Sequence, residues 1–147
     1  MMEIRRMTPE DYDAIHALWM SCPGMGLNSL DDSRDGIGRF LERNPDTCFV
    51  AVEARHIIGA ILAGNDGRRG YLYHTAVHPS MQGRGIGKAL VGAAMTALHA
   101  LGIHKTALVV FSGNAQGNAF WEKMGFTVRA DLVYRNRALD EMIRIDT

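Results

Sequence analysis

Val77-His78-Pro79-Ser80-Met81-Gln82-Gly83-Arg84-Gly85-Ile86-Gly87-Lys88-Ala89-Leu90 joins two unlike stretches. Before it, residues 71–77 are rich in aromatic and β-branched side chains and read as a strand. After it, Ile86, Leu90, Ala94, Ala97 and Leu101 recur at helical spacing, and Gly102 ends the helix. A strand that enters a helix through glycines leaves free backbone N–H groups at the helix start, where the partial positive charge favours an anion such as phosphate. Gly83, Gly85 and Gly87 carry no Cβ, so an anion can approach the backbone, and Arg84 and Lys88 add positive charge. Two common phosphate loops do not fit. The pattern G-x-x-x-x-G-K-[ST] needs glycine where Gln82 stands and a hydroxyl residue where Ala89 stands. The dinucleotide pattern G-x-G-x-x-G needs its third glycine at Lys88 or Leu90.

Outward from this turn, the remaining elements alternate. Residues 3–7 read as a short strand, and Thr8-Pro9-Glu10-Asp11 as a helix start with Thr8 as N-cap; this helix runs to about Met20. Residues 21–29 form a loop and residues 30–43 a second helix. Residues 47–52 and 57–63 form a hairpin about Glu53-Ala54-Arg55-His56. Beyond the long helix, residues 105–111 read as a strand covered on both faces, and residues 114–124 as a short helix closed by Gly125. Residues 126–133 and 139–145 read as two final strands joined at Arg135-Asn136-Arg137. The order β-α-α-β-β-β-α-β-α-β-β predicts an α/β fold: a central mixed sheet of about seven strands with about four helices on both faces.

The chain has 147 residues, enough for a single domain (1–147) with one sizeable core. Sixteen Lys and Arg balance 16 Asp and Glu, so no basic surplus suggests a nucleic-acid partner. The N-terminus is charged throughout, and no apolar run approaches the roughly 20 residues of a membrane span. The two cysteines, Cys22 and Cys48, read as small buried hydrophobes of a cytoplasmic protein. No His or Cys spacing suggests a metal site.

Gln82-Gly83-Arg84-Gly85-Ile86-Gly87 fits [Q/R]-x-x-G-x-[G/A]. Placed after a strand ending Val-x-Pro, it resembles the pyrophosphate loop of the GNAT superfamily of acyl-CoA-dependent N-acetyltransferases. Asn114, six further residues, then Trp121-Glu122-Lys123-Met124-Gly125-Phe126 resembles that family's N-(x6)-Y-E-K-x-G-F segment. The resemblance covers nearly the whole chain, most specifically residues 71–126. It implies acetyl-CoA as co-substrate and direct acetyl transfer to an amine of a small molecule or protein, with a homodimer left open. It places Thr75, Ala76 and Val77 beside the pantetheine arm, their backbone N–H groups polarising the thioester carbonyl. It gives the pyrophosphate to Gly83, Arg84, Gly85, Ile86, Gly87 and Lys88 after Gln82, and brings Asn114 to the pantetheine arm or the loop that follows. As residues alone, Asn114 also reads as an N-cap, and Trp121 and Phe126 as core.

Trp121 stands where many family members have a Tyr thought to protonate the departing thiolate. An indole N–H is no useful acid. A thiol near pKa 8.5 leaves as thiolate at a cost of only about 1.5 kcal/mol at neutral pH, whereas freeing an alkyl amine near pKa 10.4 of its proton costs about 4 kcal/mol. A base is therefore the greater need. On the strand, Tyr71, Tyr73 and Thr75 share one face by period two, and His74 and Ala76 the other unless a bulge intervenes. Tyr73 and His74 are the catalytic candidates: His74 by its ionisation range, Tyr73 by ordering a water on the expected acceptor face. The loop over residues 21–34 and the turn near Tyr134 are expected to wall the acceptor pocket, where Asp31, Asp32 and Asp35 read either as an attraction for a cationic amine or as a solvated helix start. A binding module that holds acetyl-CoA without turnover is the alternative.

Overall fold

In the computed structural model, which describes residues 1–146, five strands form one sheet in the order β1-β2-β3-β4-β5. They are β1 (Glu3–Arg6), β2 (Phe49–Glu53), β3 (His56–Asn65), β4 (Gly70–Val77) and β5 (Thr106–Ala107). The first four run antiparallel in sequence order, and β5 lies parallel to β4. Ala54 and Arg55, both at positive φ (51° and 68°), make the two-residue turn between β2 and β3. Both central residues in the left-handed region match the twist of the strands they join.

The helices are α1 (Tyr12–Met20), α2 (Arg34–Arg43), α3 (Ile86–Ala100) and α4 (Ala115–Lys123). Short 3-10 turns at Pro9–Asp11 and Pro79–Met81 precede α1 and α3. The second helix starts four residues later than its apolar spacing suggests. Asn28 Oδ1 accepts from the N–H groups of Leu30 and Asp31 (3.0 and 2.7 Å), which folds that stretch into a turn. Ser33 Oγ then accepts from Gly36 N–H and caps α2.

β3 is buried on both sides and divides the interior. Ala60 and Leu62 pack with Ile15, Leu18, Trp19, Ile37 and Leu41 on the face covered by α1 and α2. Ile58, Ile61 and Ala63 pack with Ile86, Leu90, Val91, Ala94 and Leu98 on the α3 face. A Cβ on Gly59 would stand 3.0–3.1 Å from Leu90 and Ile86, so this glycine lets α3 settle on the sheet. Among the described residues no helix is long and apolar enough to cross a membrane.

The count of about seven strands is corrected to five. The strand expected over residues 105–111 is limited to Thr106–Ala107, and Val109 and Phe111 are exposed rather than covered. Residues 126–133 and 139–145 form no hairpin. Instead the tail ties its backbone to the loop before α2. Ser29 N–H donates to Ile143 O (2.8 Å), Ile145 N–H to Leu27 O (3.1 Å), and Asp146 accepts from Gly26 and Leu27 N–H (2.9 and 2.8 Å). These bonds satisfy polar groups that a hairpin would otherwise have paired.

Candidate active site

β5 meets β4 only at Gly70 and Tyr71, opposite Thr106 and Ala107. Beyond that point the two strands part, and among the described residues the outer edge of β4 from Leu72 to Val77 has no strand partner. Backbone polar groups on such an edge need some other partner. The edge runs straight into the glycine turn. Gly83 and Gly85 both have positive φ (81° and 80°), and a Cβ on either would meet nothing within 4 Å. Gly85 is the N-cap of α3 and offers no side chain to it. The first bond back along the helix is Ala89 N–H to Gly85 O (3.1 Å), so the N–H groups ahead of Ala89 have no intrahelical acceptor. An open backbone cradle at the positive end of a 15-residue helix therefore sits at the end of an unpaired strand edge.

The side chains around this cradle are less directed to it than its backbone. Arg84 turns to Glu53 and makes a two-pronged pair at 3.3 and 2.8 Å. That hydrogen bond raises the guanidinium and holds the carboxyl below its usual range. Gln82 donates to Val77 O (3.4 Å) and accepts from Gln116 of α4 (3.2 Å), which ties the turn to the next helix. Ile86 is buried, so only its backbone faces outward, while Lys88 is exposed. A Cβ on Gly87 would stand 3.2 Å from Phe120, so this third glycine admits α4 rather than a ligand. Asn114 Oδ1 accepts from Gly117 N–H (2.8 Å) and caps α4. Trp121 stacks edge-on between Phe120 and Phe126, at 4.9 and 5.2 Å. Thr75 Oγ1, beside the open edge, is buried without a hydrogen-bond partner.

The middle of β4 departs from period two. Leu62 pairs with Tyr73 and Ala60 with Ala76, so two residues of β4 stand against one of β3. His74 takes φ +43°, and the bulge re-aims its side chain. His74 packs edge-on against Trp19 of α1 at 5.1 Å and lies 6.4 Å from the Tyr73 ring. Tyr73 in turn contacts Tyr71 (4.7 Å) and Phe40 of α2 (5.8 Å). The separation of Tyr73 and His74 onto opposite faces is expected only without a bulge; the bulge is present, and the two side chains pack toward α2 and α1 respectively. Burial pushes both phenols up from their ordinary value, with smaller contributions from Tyr73 and Tyr134 on Tyr71, and from Tyr134 and Asp31 on Tyr73. Both therefore remain neutral near pH 7 and are not bases.

Asp32 is the residue that sequence reasoning misplaced. It is not solvated: its carboxylate is buried, accepts from Asn28 N–H (2.8 Å) and lies 2.7 Å from His74 Nε2. Forty-two positions separate the pair, so no local spacing signals it. Asp31 and Asp35 are exposed, as expected. They line a cleft of about 520 Å³ together with Arg39 and, from the tail, Arg137 and Asp140. Cys48 is fully buried and its thiol is pushed up to about 11 by burial. Cys22 is only half-buried, a correction to its reading as core; it donates to Val77 O at 3.6 Å, and burial raises its thiol as well.

Residues 12–126 match the acetyltransferase (GNAT) family model. Acetyltransferase SG1711 of Sodalis glossinidius (strain morsitans) is 33% identical over 140 residues, covering 95% of this chain and 97% of that protein. Among solved structures, PaiA N-acetyltransferase from Thermoplasma acidophilum in complex with coenzyme A superposes with a TM-score of 0.76 at 23% identity, covering 88% of this chain and 91% of that one. AAC(6')-Iy in complex with the bisubstrate analogue CoA-S-monomethyl-acetylneamine superposes with a TM-score of 0.72 at 23% identity, covering 94% and 99%. The match spans the parted strands, the glycine turn and the helix behind it, and the chain belongs to the acetyltransferase (GNAT) family.

Proposed function

We propose that this protein transfers the acetyl group of acetyl-CoA directly to an amine of a small molecule or a protein. The observation that carries the reading is the unpaired edge of β4 running into the uncapped N-terminus of α3. The backbone about Gly83, Gly85 and Ile86 would receive the pyrophosphate, with Gln82, Arg84, Gly87 and Lys88 around it. Thr75, Ala76 and Val77 would lie beside the pantetheine arm, with their N–H groups polarising the thioester carbonyl. Asn114 and Trp121 of the α4 segment would close the other side. Tyr73 and His74 would order and deprotonate the acceptor amine. Two structural neighbours are described in complex with CoA or a CoA conjugate, which supports the same placement.

The decisive pair of experiments is calorimetry with acetyl-CoA and thiol release across a panel of amines. Gly85→Val places a Cβ over the cradle and should raise the Kd for acetyl-CoA about a hundredfold or more, about 3 kcal/mol. Gly85 sits at φ +80°, so this variant also carries backbone strain of about 1–2 kcal/mol. Gly102→Val is the control: it has φ +84° at the opposite end of α3 and the same open space. The control should lose stability and keep its affinity. Unchanged affinity in folded Gly85→Val refutes the cradle. Binding without thiol release for any amine would instead mark a non-catalytic acetyl-CoA module, a reading that the missing Tyr at Trp121 favours.

A further inference from the structure

The bulge at His74 buries a charged partner for it, and the chemistry above does not use that partner. Asp32 is 3% exposed and its carboxylate has no Lys or Arg beside it among the described residues. Arg34, the nearest cation in sequence, is spent on Asp13 and on the Tyr12 ring. A carboxylate removed from water requires hydrogen-bond donors. Asp32 Oδ2 takes the N–H of Asn28, and Oδ1 lies 2.7 Å from His74 Nε2. The backbone of Asp32 is held as well, because Tyr12 Oη donates to its carbonyl (2.7 Å). A carboxylate can only accept, so neutral His74 must carry its proton on Nε2. The lone pair is then on Nδ1. Trp19 braces one side of the ring, and the positive φ of His74 fixes where the ring leaves the strand.

We propose that Asp32 is a positioning residue: it locks His74 in the Nε2–H tautomer, so that Nδ1 is the atom that takes the proton from the acceptor amine. This rests on the acetyl-transfer reading above. An alkylammonium gives one proton to Nδ1, and the freed amine attacks the thioester carbonyl carbon. The C–N bond forms, the C–S bond breaks, and the electron pair leaves with the thiolate. The second nitrogen proton passes to the thiolate, and the imidazolium returns its proton to solvent. In the imidazolium state Asp32 faces a cation and balances it.

Other titratable groups border the pair. Tyr73 adjoins His74 on β4, Tyr12 of α1 donates to the Asp32 carbonyl and stacks on His16, Asp31 precedes Asp32 in the loop, and Cys22 contacts Val77 at the strand end. None of them lies between Asp32 and His74 Nε2.

Long-range nitrogen–proton NMR of the histidine rings tests the tautomer directly, without any variant. Neutral His74 should show its proton on Nε2. In Asp32→Asn the amide oxygen keeps Asn28 N–H, and the amide nitrogen turns to His74 as a donor. The ring must then carry its proton on Nδ1, and the base is lost. The expected result is a 10²–10⁴-fold fall in kcat with the acetyl-CoA Kd unchanged, and loss of the acid limb of the kcat/KM profile. Three results overturn the proposal: an Nδ1–H tautomer in the native protein, an unchanged pH limb in Asp32→Asn, or a native rate in folded His74→Ala. Failure of the acetyl-transfer reading is separate and shows as no acetyl-CoA binding or no thiol release, with the tautomer still readable.

Discussion

β3 and the stretch over residues 126–133 are both rich in β-branched and aliphatic side chains and bounded by turns. β3 is the central strand, hydrogen-bonded along β2 and β4 and covered by helices on both faces. Among the described residues the other stretch has no strand partner, and Val128 is 82% exposed. The difference lies in what stands alongside. β3 follows β2 through a two-residue turn and meets β4 after a short loop, so both partners are local. The later stretch has only the two residues of β5 as a possible neighbour, and its inner charges, Arg129 and Asp131, close on each other instead (2.9 and 2.8 Å). Strand propensity is a statement about fitting a pleated, half-buried surface, and without that surface it builds nothing.

The sharpest way to break this contrast is a pair of leucines. Leu90 of α3 is fully buried between β3 and the helix, and Leu139 in the tail is 94% exposed. Leu90→Ala should lower unfolding stability by about 2–5 kcal/mol, since the cavity cannot collapse against the sheet. Leu139→Ala should change it by about 0.5 kcal/mol or less. Denaturant melts with equal m-values would measure both. A comparable loss at Leu139 would show that the tail is covered in solution, for instance by a second copy of the chain.

A smaller effect concerns the tie between the tail and the loop before α2. Burial pushes the Asp146 carboxyl up, but the N–H groups of Leu27 and Gly26, with Arg144, outweigh it and hold the group below its usual range. A lowered folded value means the ionised form is the one bound. The tether is therefore fully present above the unfolded carboxylate range and is lost as pH falls through the folded value, below about pH 4. Hydrogen exchange at Gly26, Leu27 and Ile145 should accelerate there, and Asp146→Asn should weaken the tether at neutral pH by about 1–3 kcal/mol. Protection at these amides that ignores both acid and the substitution would show that the loop is held by its own packing.

What the sequence carries locally, it carries well. The helix after Gly85, the turn at Ala54-Arg55, the cap at Asn114 and the glycine turn itself each depend on a few neighbouring residues, and each is where the pattern puts it. What depends on a distant partner is not legible. The truncation of β5 against β4, the tail bonded to residues 27–29 and the burial of Asp32 against His74 all involve segments 36 or more positions apart. The bulge is intermediate. Period two assigns His74 to the wrong side, and the single extra residue that re-aims it leaves no mark in a run as uniform as Tyr71-Leu72-Tyr73-His74.

The smallest expected effect is at Trp121, and it compares the two ends of the reaction. Trp121 is held between Phe120 and Phe126 at ring distances of 4.9 and 5.2 Å, so a Tyr there inherits the same aromatic slot. If protonating the thiolate limited the rate, Trp121→Tyr would raise kcat by the 10²–10⁴ that general acids contribute. A thiolate leaves unaided at about 1.5 kcal/mol near neutrality, while the ammonium must first lose a proton at about 4 kcal/mol. On the proposed mechanism the slower demand falls on the amine side, at His74. Trp121→Tyr should therefore change kcat by about threefold or less and leave the pH limb where it was. A rise of two decades would move the limiting proton to the sulfur and leave the His74–Asp32 pair with only a supporting part.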